Sequence, residues 1–418
     1  MAKFFDGKVI TRVVLLVSFV SLFTDIASEM LYPVMPVYLR SIGFSVLLIG
    51  ILEGVAEATA GLSKGYFGKL SDVMQRRVPF VRAGYIMSAL SKPLMAVFTA
   101  PVWIFFVRTL DRFGKGVRTS ARDAMLSDET TPEHKGKVFG FHRSMDTVGA
   151  AIGPVLALVF LWLYPGQYKW MFFLAFFPGL VAIALTFLLK DHKKEAKAEP
   201  TASPPGSSRN PNVASPLPHV GFFSYFGYWK KASPGFRLLV PGLLVFALFN
   251  SSDAFLLLAL KEHHLSDTMM IGVYIFYNLV YALFSYPVGI LSDKIGLKTT
   301  LVAGLFLFAC VYTGIGIASS LVVLGCLFFL YGLYAACTEG ISKALISNMA
   351  AKSDTATAIG FYNSLASVFA LLASTLAGVL WFWAGSSVMF MISGIGVFFV
   401  ACYLAIVFFF MRAGRPEA

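Results

Sequence analysis

The sequence predicts an all-α membrane protein of about twelve transmembrane helices, arranged as two pseudo-symmetric six-helix bundles. Three observations carry that prediction. The 418-residue chain is 57% hydrophobic and 13% charged, with a mean hydropathy of +0.75, whereas a soluble domain is roughly half apolar and a quarter charged. Mostly apolar stretches of about 20 residues, long enough to cross a bilayer as a helix, recur along the whole chain. A charged stretch, Gly68-Lys-Leu-Ser-Asp72-Val-Met-Gln75-Arg76-Arg77, returns 221 residues later as Gly289-Ile-Leu-Ser-Asp293-Lys-Ile-Gly296-Leu297-Lys298. A second echo, Gly140-Phe-His-Arg-Ser144 against Gly360-Phe-Tyr-Asn-Ser364, has an offset of 220. Two echoes in step mark two homologous halves.

Spans beginning near residues 11, 46, 79, 101, 138 and 168 form the first bundle, residues 1–190. Residues 191–235 read as a cytoplasmic linker with an interfacial segment. Residues 236–418 hold the second bundle, with spans beginning near 236, 267, 299, 319, 355 and 385. The first apolar stretch is too long for a cleavable leader, contains acids and lacks a small-residue cleavage site. Lysine and arginine in short loops mark the cytoplasmic side. One side holds Lys3, Lys8, Arg76, Arg77, Lys135, Lys137, Lys193, Lys194, Lys294, Lys298, Lys352, Arg412 and Arg415. The other holds little more than Arg40, Lys169 and Lys261, so both termini are expected in the cytoplasm. The net charge of +12 follows from this topology and does not indicate nucleic-acid binding. The run after Asp191 is rich in Pro, Ser, Ala and Asn and lacks the apolar surface to order itself. Phe222-Phe-Ser-Tyr-Phe-Gly-Tyr-Trp-Lys-Lys231 reads as a segment at the cytoplasmic membrane surface. Cys310, Cys326, Cys337 and Cys402 fall in apolar stretches and read as packed thiols rather than disulfides or metal ligands.

Ionisable side chains inside a span are costly and face a cavity or a partner. Span 1 carries Asp25 and Glu29, four residues apart and on one face. Tyr32, Pro33 and Pro36 follow, and a broken helix there would expose backbone to a cavity. Span 2 carries Glu53, Glu57 and Lys64, and span 3 carries Lys92 beside Pro93. Span 4 carries a stripe of Arg108, Asp111, Arg112 and Lys115, and span 5 carries Arg143 and Asp146. The second half is sparser, with Asp253 in span 7 and Glu339 and Lys343 as an i,i+4 pair in span 10. The candidate proton- and substrate-binding residues are therefore Asp25, Glu29, Glu53, Glu57, Lys92, Arg108, Asp111, Arg112, Asp146 and Asp253. The competing reading is an ion-pair network that closes the bundle. Lys115, Arg118 and Arg122 read as lying at or near the inner surface. Tyr274, Tyr277 and Tyr281 recur at helical spacing and suit either a cavity wall or packing. Neither a phosphate-binding G-x-x-x-x-G-K-[ST] loop nor a metal-binding H-E-x-x-H occurs, so the expectation is no enzyme, no cofactor and no metal.

The pattern G-x-L-x-D-x-x-(G)-R-(R/K) between spans 2 and 3, copied between spans 8 and 9, resembles the signature loop of the major facilitator superfamily. The first copy has Gln75 at the usual glycine, and the second has Leu297 at a usual basic position. Its local physics is a glycine that lets another helix approach and an aspartate suited to a helix N-terminus and a base. The resemblance implies that Gly68, Asp72, Arg76, Gly289 and Asp293 form a conformational latch. Arg112-Phe-Gly-Lys-Gly116 is similar to the R-x-x-x-G element of proton-driven exporters, which implies that Arg112 tunes a proton site. Asp111 beside it is a departure. Gly149-Ala-Ala-Ile-Gly153-Pro154 resembles the G-x-x-x-G-P element of the antiporter branch, a device for close helix approach and a kink. The resulting expectation is a proton-coupled secondary transporter of a small organic solute across the bacterial inner membrane. It would work by alternating access, with export slightly favoured. The alternatives are a symporter importing a charged metabolite or metal–siderophore complex, and a non-transporting receptor or scaffold. Expected partners are a small-molecule substrate, protons and the lipid bilayer, with no nucleic acid. A monomer is the usual state of the family.

Overall fold

The computed structural model of the protein describes residues 9–32, 34–191, 220–263, 265 and 267–413. Lys3, Lys8, Pro33, Lys193, Lys194 and Arg415 lie outside the described residues, as does nearly all of the run after Asp191. The first half comprises α1 (Arg12–Glu29), α2 (Met35–Ser41), α3 (Val46–Val73), α4 (Val78–Val97), α5 (Pro101–Asp128), α6 (Lys135–Leu163) and α7 (Tyr168–Thr186). A short helix, α8 (Tyr228–Lys231), precedes the second half. That half comprises α9 (Pro234–Phe249), α10 (Asp253–Glu262), α11 (Asp267–Ile295), α12 (Leu297–Ile317), α13 (Leu321–Met349), α14 (Thr355–Ala384) and α15 (Ser386–Ala413). Side-chain caps start several of these helices. Thr11 accepts from Val14 N at 3.2 Å, Ser45 from Leu48 N at 3.1 Å and Ser233 from Phe236 N at 3.3 Å.

Two spans are interrupted, and at matching places. Helix α1 ends at Glu29 and α9 ends at Phe249, 220 residues apart, and each continues after a short non-helical stretch as α2 or α10. With each broken pair counted once, the fold has twelve spans in two six-helix bundles. Among the described residues, eight helices are long and apolar enough to cross a membrane on length and composition alone. The other four spans, α1–α2, α3, α4 and α5, are the ones crowded with charge.

That charge also divides the core. The second bundle has one continuous apolar core around Phe236, Phe308, Tyr312, Phe328 and Phe390. The first bundle has two, one around Val14, Tyr85 and Phe139 and one around Met30, Tyr38 and Phe172. On α3, α4 and α5 the ionisable residues fall between these two clusters. The outward faces of the helices are apolar, with Trp162, Phe382 and Trp383 largely exposed at helix ends, where a membrane interface favours aromatic rings. Cys310 and Cys326 lie on this exposed surface, not packed as expected, because no other helix covers their faces of α12 and α13.

The segment before α9 differs from a simple surface strip. Phe222, Phe223 and Trp229 are exposed, but Tyr225 is fully buried. Its hydroxyl lies 2.9 Å from Ser364 Oγ of α14, and its ring fills the space over Gly65 of α3, where a Cβ would come within 2.5 Å of it. Lys69 donates to Ser224 O at 2.9 Å. The segment is thus wedged into the seam between the two bundles, because glycine at 65 leaves room for the ring.

Candidate functional site

The seam is built from the two copies of the repeated motif. Asp72 Oδ2, at the end of α3, accepts from Thr357 N and from Thr357 Oγ1, both at 2.6 Å, and Oδ1 accepts from Ala356 N at 3.4 Å. Asp293, at the end of α11, accepts from Gly136 N at 2.8 Å and Lys137 N at 2.9 Å. Each carboxylate therefore caps the N-terminus of a helix in the other bundle, α14 or α6, where free N–H groups and the helix dipole favour negative charge. The motif glycines let the backbones meet. A Cβ on Gly68 would lie 2.4 Å from Ala356 O, and one on Gly289 would lie 2.4 Å from Gly136 O. Gly140 and Gly360 do the same against Ser285 O and Lys64 O, each at 2.5 Å.

The arginine paired with Asp72 is Arg77 rather than Arg76, the one expected in the motif. Arg77 Nη1 lies 2.5 Å from Asp72 Oδ1, while Arg76 is exposed and pairs with no acid among the described residues. The cause is the turn at Gln75, whose φ of +51° reverses the chain so that the second basic residue, not the first, points inward. Its counterpart in the second copy, Gly296, also has a positive φ, +99°.

Behind the seam lies a polar cavity of about 460 Å³ between the bundles. Its first-bundle wall carries Asp25, Glu29, Lys64, Lys115, Arg118 and Asp146. Asp25 of α1 and Asp146 of α6 both face the cavity. Asp146 is held by Arg143 Nη1 at 2.8 Å. Its second-bundle wall is aromatic. Asp253 accepts from Tyr277 at 2.5 Å and Tyr331 at 2.7 Å, and Tyr274, Tyr281 and Tyr334 complete the face. At the end away from the latch, α2, α6, α10 and α11 border an apolar groove of about 410 Å³ that shares Tyr274 with the cavity.

Comparison with known proteins agrees with this architecture. The family model described as Major Facilitator Superfamily matches residues 17–277 and 242–418. The chain belongs to the Major Facilitator Superfamily. An uncharacterized MFS-type transporter of Methanocaldococcus jannaschii is 31% identical over 90% of both chains. The staphyloferrin B transporter of Staphylococcus aureus is 26% identical over 87% of this chain and 85% of its own. The crystal structure of the human organic anion transporter MFSD10 superposes with a TM-score of 0.72 at 18% identity, over 94% of this chain and 99% of that one. The Major Facilitator membership makes the protein a membrane transporter, not an enzyme.

Within this superfamily member, the ten expected binding residues divide into two groups. Asp25, Glu29, Asp146 and Asp253 line the central cavity. Glu53, Glu57, Lys92, Arg108, Asp111 and Arg112 lie beside it and pair among themselves between α3, α4 and α5. Arg108 holds Glu53 with two bonds of 2.8 and 2.9 Å and approaches Asp111 at 3.4 Å. Lys92 reaches Asp111 at 3.4 Å, and Arg112 reaches Glu57 at 3.2 Å. Gly149 and Gly153 lie where α6 crosses α1. A Cβ on either would fall within 2.7 Å of α1 or adjoining backbone, and Pro154 follows inside α6.

Three residues read as inner-surface charges, Lys115, Arg118 and Arg122, are on the cavity wall instead. They continue the α5 stripe by one and two turns, and that periodicity was the available signal. Glu339 and Lys343 do not pair with each other. Glu339 lies 3.7 Å from Arg143, and Lys343 lies 2.9 Å from Asp123, so both reach across the seam. Asp123, also 2.9 Å from Arg122, is fully buried. No feature of its sequence context marked it.

Proposed function

We propose that this transporter is a proton-coupled secondary carrier of a small polar organic solute, operating by alternating access in the bacterial inner membrane. The observation that carries the reading is the group of carboxylic acids on the cavity wall, Asp25, Glu29 and Asp146 from the first bundle and Asp253 from the second. Arg143 holds Asp146 within α6 and also touches Tyr281 and Glu339 of the other bundle. Opening the seam removes those two cross-seam contacts and changes the surroundings of the Arg143–Asp146 pair, which couples proton release to conformation. The moving bodies are residues 1–190 and 236–418, joined by 191–235. Basic residues on the latch side, including Arg76, Lys137, Lys294 and Lys352, support a cytoplasmic latch and cytoplasmic termini. The state described here therefore has its cytoplasmic side shut. The polar wall suits a hydrophilic solute, and the relative named for staphyloferrin B transport is compatible with that. Export is slightly favoured by the Gly149–Pro154 element, and the working unit is a monomer.

The test is transport into proteoliposomes containing a pH-sensitive dye, under an imposed proton gradient. Solute movement opposite to protons is expected, and Asp25→Asn should abolish gradient-driven flux while leaving solute exchange. Wild-type proton-driven flux in Asp25→Asn would remove Asp25 from the mechanism. Protons and solute moving together would make the protein an importer.

A further inference from the structure

We propose that the transported solute is a hydrophilic organic anion bearing at least two negative charges, and that Lys64 and Lys115 are its binding residues. This rests on the transporter reading above and names its substrate class. The argument starts from which charges on the cavity wall are already spoken for. Arg143 is taken by Asp146 and Glu339, and Arg122 and Lys343 by Asp123. Asp146 is held by Arg143, and Asp253 accepts from two tyrosine hydroxyls. Among the described residues of the wall, Lys64, Lys115 and Arg118 have no carboxylate within 4.0 Å, and Arg118 is turned away to Ser88 Oγ at 2.6 Å and the Tyr85 ring. The ammonium of Lys64 has one side-chain acceptor, Ser367 Oγ at 3.2 Å, and Lys115 is exposed into the cavity. Among the described residues, Asp25 and Glu29 are the wall carboxyls with no cation within 4.0 Å. The nearest acids to Lys115, namely Asp25, Glu29 and Glu57, stand beyond ion-pair distance.

The helices force these two cations together. Gly116 sits directly against α3, where a Cβ would come within 2.5 Å of the Ser63 side chain, so the residues next to the contact, Lys115 and Lys64, flank one spot. Two like charges at one place in a membrane-embedded cavity repel each other and are costly, a cost that an anion bridging them removes. The surroundings fit the same ligand. Asn363 Nδ2 and Asn250 Oδ1 are buried polar atoms on the cavity wall with no protein partner. Asn363 stands one turn before Ser367 on α14 and supplies a donor near Lys64. The tyrosine hydroxyls of the opposite wall suit hydroxyl or carboxyl oxygens. The solute's anionic end therefore lies at Lys64 and Lys115, and its neutral polar end points towards Glu29.

The experiment is equilibrium binding to the purified full-length protein in detergent, read as a ligand-dependent rise in unfolding temperature. The probes are citrate and succinate, glucose 6-phosphate, trimethyl citrate as the uncharged control, and tetraphenylphosphonium as a lipophilic cation. Saturable stabilisation by citrate or by glucose 6-phosphate, and none by trimethyl citrate, is expected, and the two arms tell carboxylate from phosphate. Lys64→Gln and Lys115→Gln should each weaken binding by about tenfold or more, the scale of one lost charge-assisted contact, and Lys64→Arg should restore most of it. A second readout uses the wild-type protein alone: acetylation of Lys115 by a water-soluble active ester, followed by mass spectrometry, should slow when the anion is bound. If no anion binds or protects Lys115, or if trimethyl citrate or tetraphenylphosphonium binds as well as citrate, the proposal is wrong. Binding is read without a gradient, so the two readings fail separately. A protein that binds citrate yet moves no protons keeps this site and loses proton coupling, while proton-driven transport of a neutral or cationic solute does the reverse.

Discussion

Replacing Asp72 by asparagine tests the latch at its strongest point. Only contacts made across the seam bias the equilibrium between closed and open states. The 2.5 Å pair with Arg77 lies within the first bundle and persists in both, so it drops out. Three contacts cross: two of 2.6 Å from Thr357 and one of 3.4 Å from Ala356. Asparagine keeps one acceptor oxygen, loses the charge, and turns an N–H₂ group towards N–H donors. Hydrogen bonds to a charged group are worth roughly 1.5–3 kcal/mol, so a loss of about 2 kcal/mol is expected. That is a shift of about 30-fold towards the state open on the latch side. Asp293→Asn removes two backbone caps and no hydroxyl contact, for which about 1 kcal/mol and about fivefold are expected. Spin labels at the exposed positions Val73 and Ser353, in a background without the native cysteines, report the seam width by electron–electron double resonance. Wild type should give one short distance, and Asp72→Asn a dominant longer one. An Asp72→Asn distribution that overlays wild type, with unchanged flux, would refute the reasoning.

Gly68→Ala places a methyl group 2.4 Å from the Ala356 carbonyl, a backbone atom that cannot step aside, so the same spin pair should report an opened seam. An unchanged distance would mean that the helices slide to accept it. Lys343→Met leaves one oxygen of the buried Asp123 carboxylate uncompensated. Because Arg122 still holds the other oxygen, the expected loss is about 2 kcal/mol, below the ~3–5 kcal/mol of a buried pair broken outright. It is checked by the unfolding midpoint, and no shift would count against a working cross-seam pair. Glu53→Gln breaks the two-bond grip on Arg108 away from the cavity. It should lower the unfolding midpoint while leaving the KM for solute within about twofold, because removing one partner of a buried pair strands the other. A tenfold KM change without loss of stability would place Glu53 in the binding site.

How far the sequence could be read depends on the range of the interaction involved. The spans, their number and the two halves follow from apolar length and a repeat at fixed offset, both properties of contiguous sequence. The latch aspartates were legible because the same short motif occurs twice. Which arginine faces Asp72 was not, because it turns on the backbone angle at Gln75. Asp25 and Glu29 could be placed on one face by their spacing, but their sharing a cavity wall with Asp146 needed the crossing of α1 and α6 at Gly149 and Gly153. Position along α5 gave the depth of Lys115, Arg118 and Arg122. Their facing a cavity depends on where the second bundle stands, which no spacing within one helix encodes. Glu339 and Lys343 have the spacing of an intrahelical pair, yet each found a stronger partner in the other half.

Asp123 and Lys343 stand 220 residues apart, the offset that also relates Gly140 to Gly360. They are therefore counterparts in the duplicated architecture, and they touch. A residue can meet its own counterpart only on the axis that relates the two copies. In an assembly of two identical half-length chains the same side chain would face itself there, acid against acid or base against base. The attraction at this spot is open only to copies that have diverged. Joining the halves in one chain is what allows an aspartate on one side of the axis and a lysine on the other.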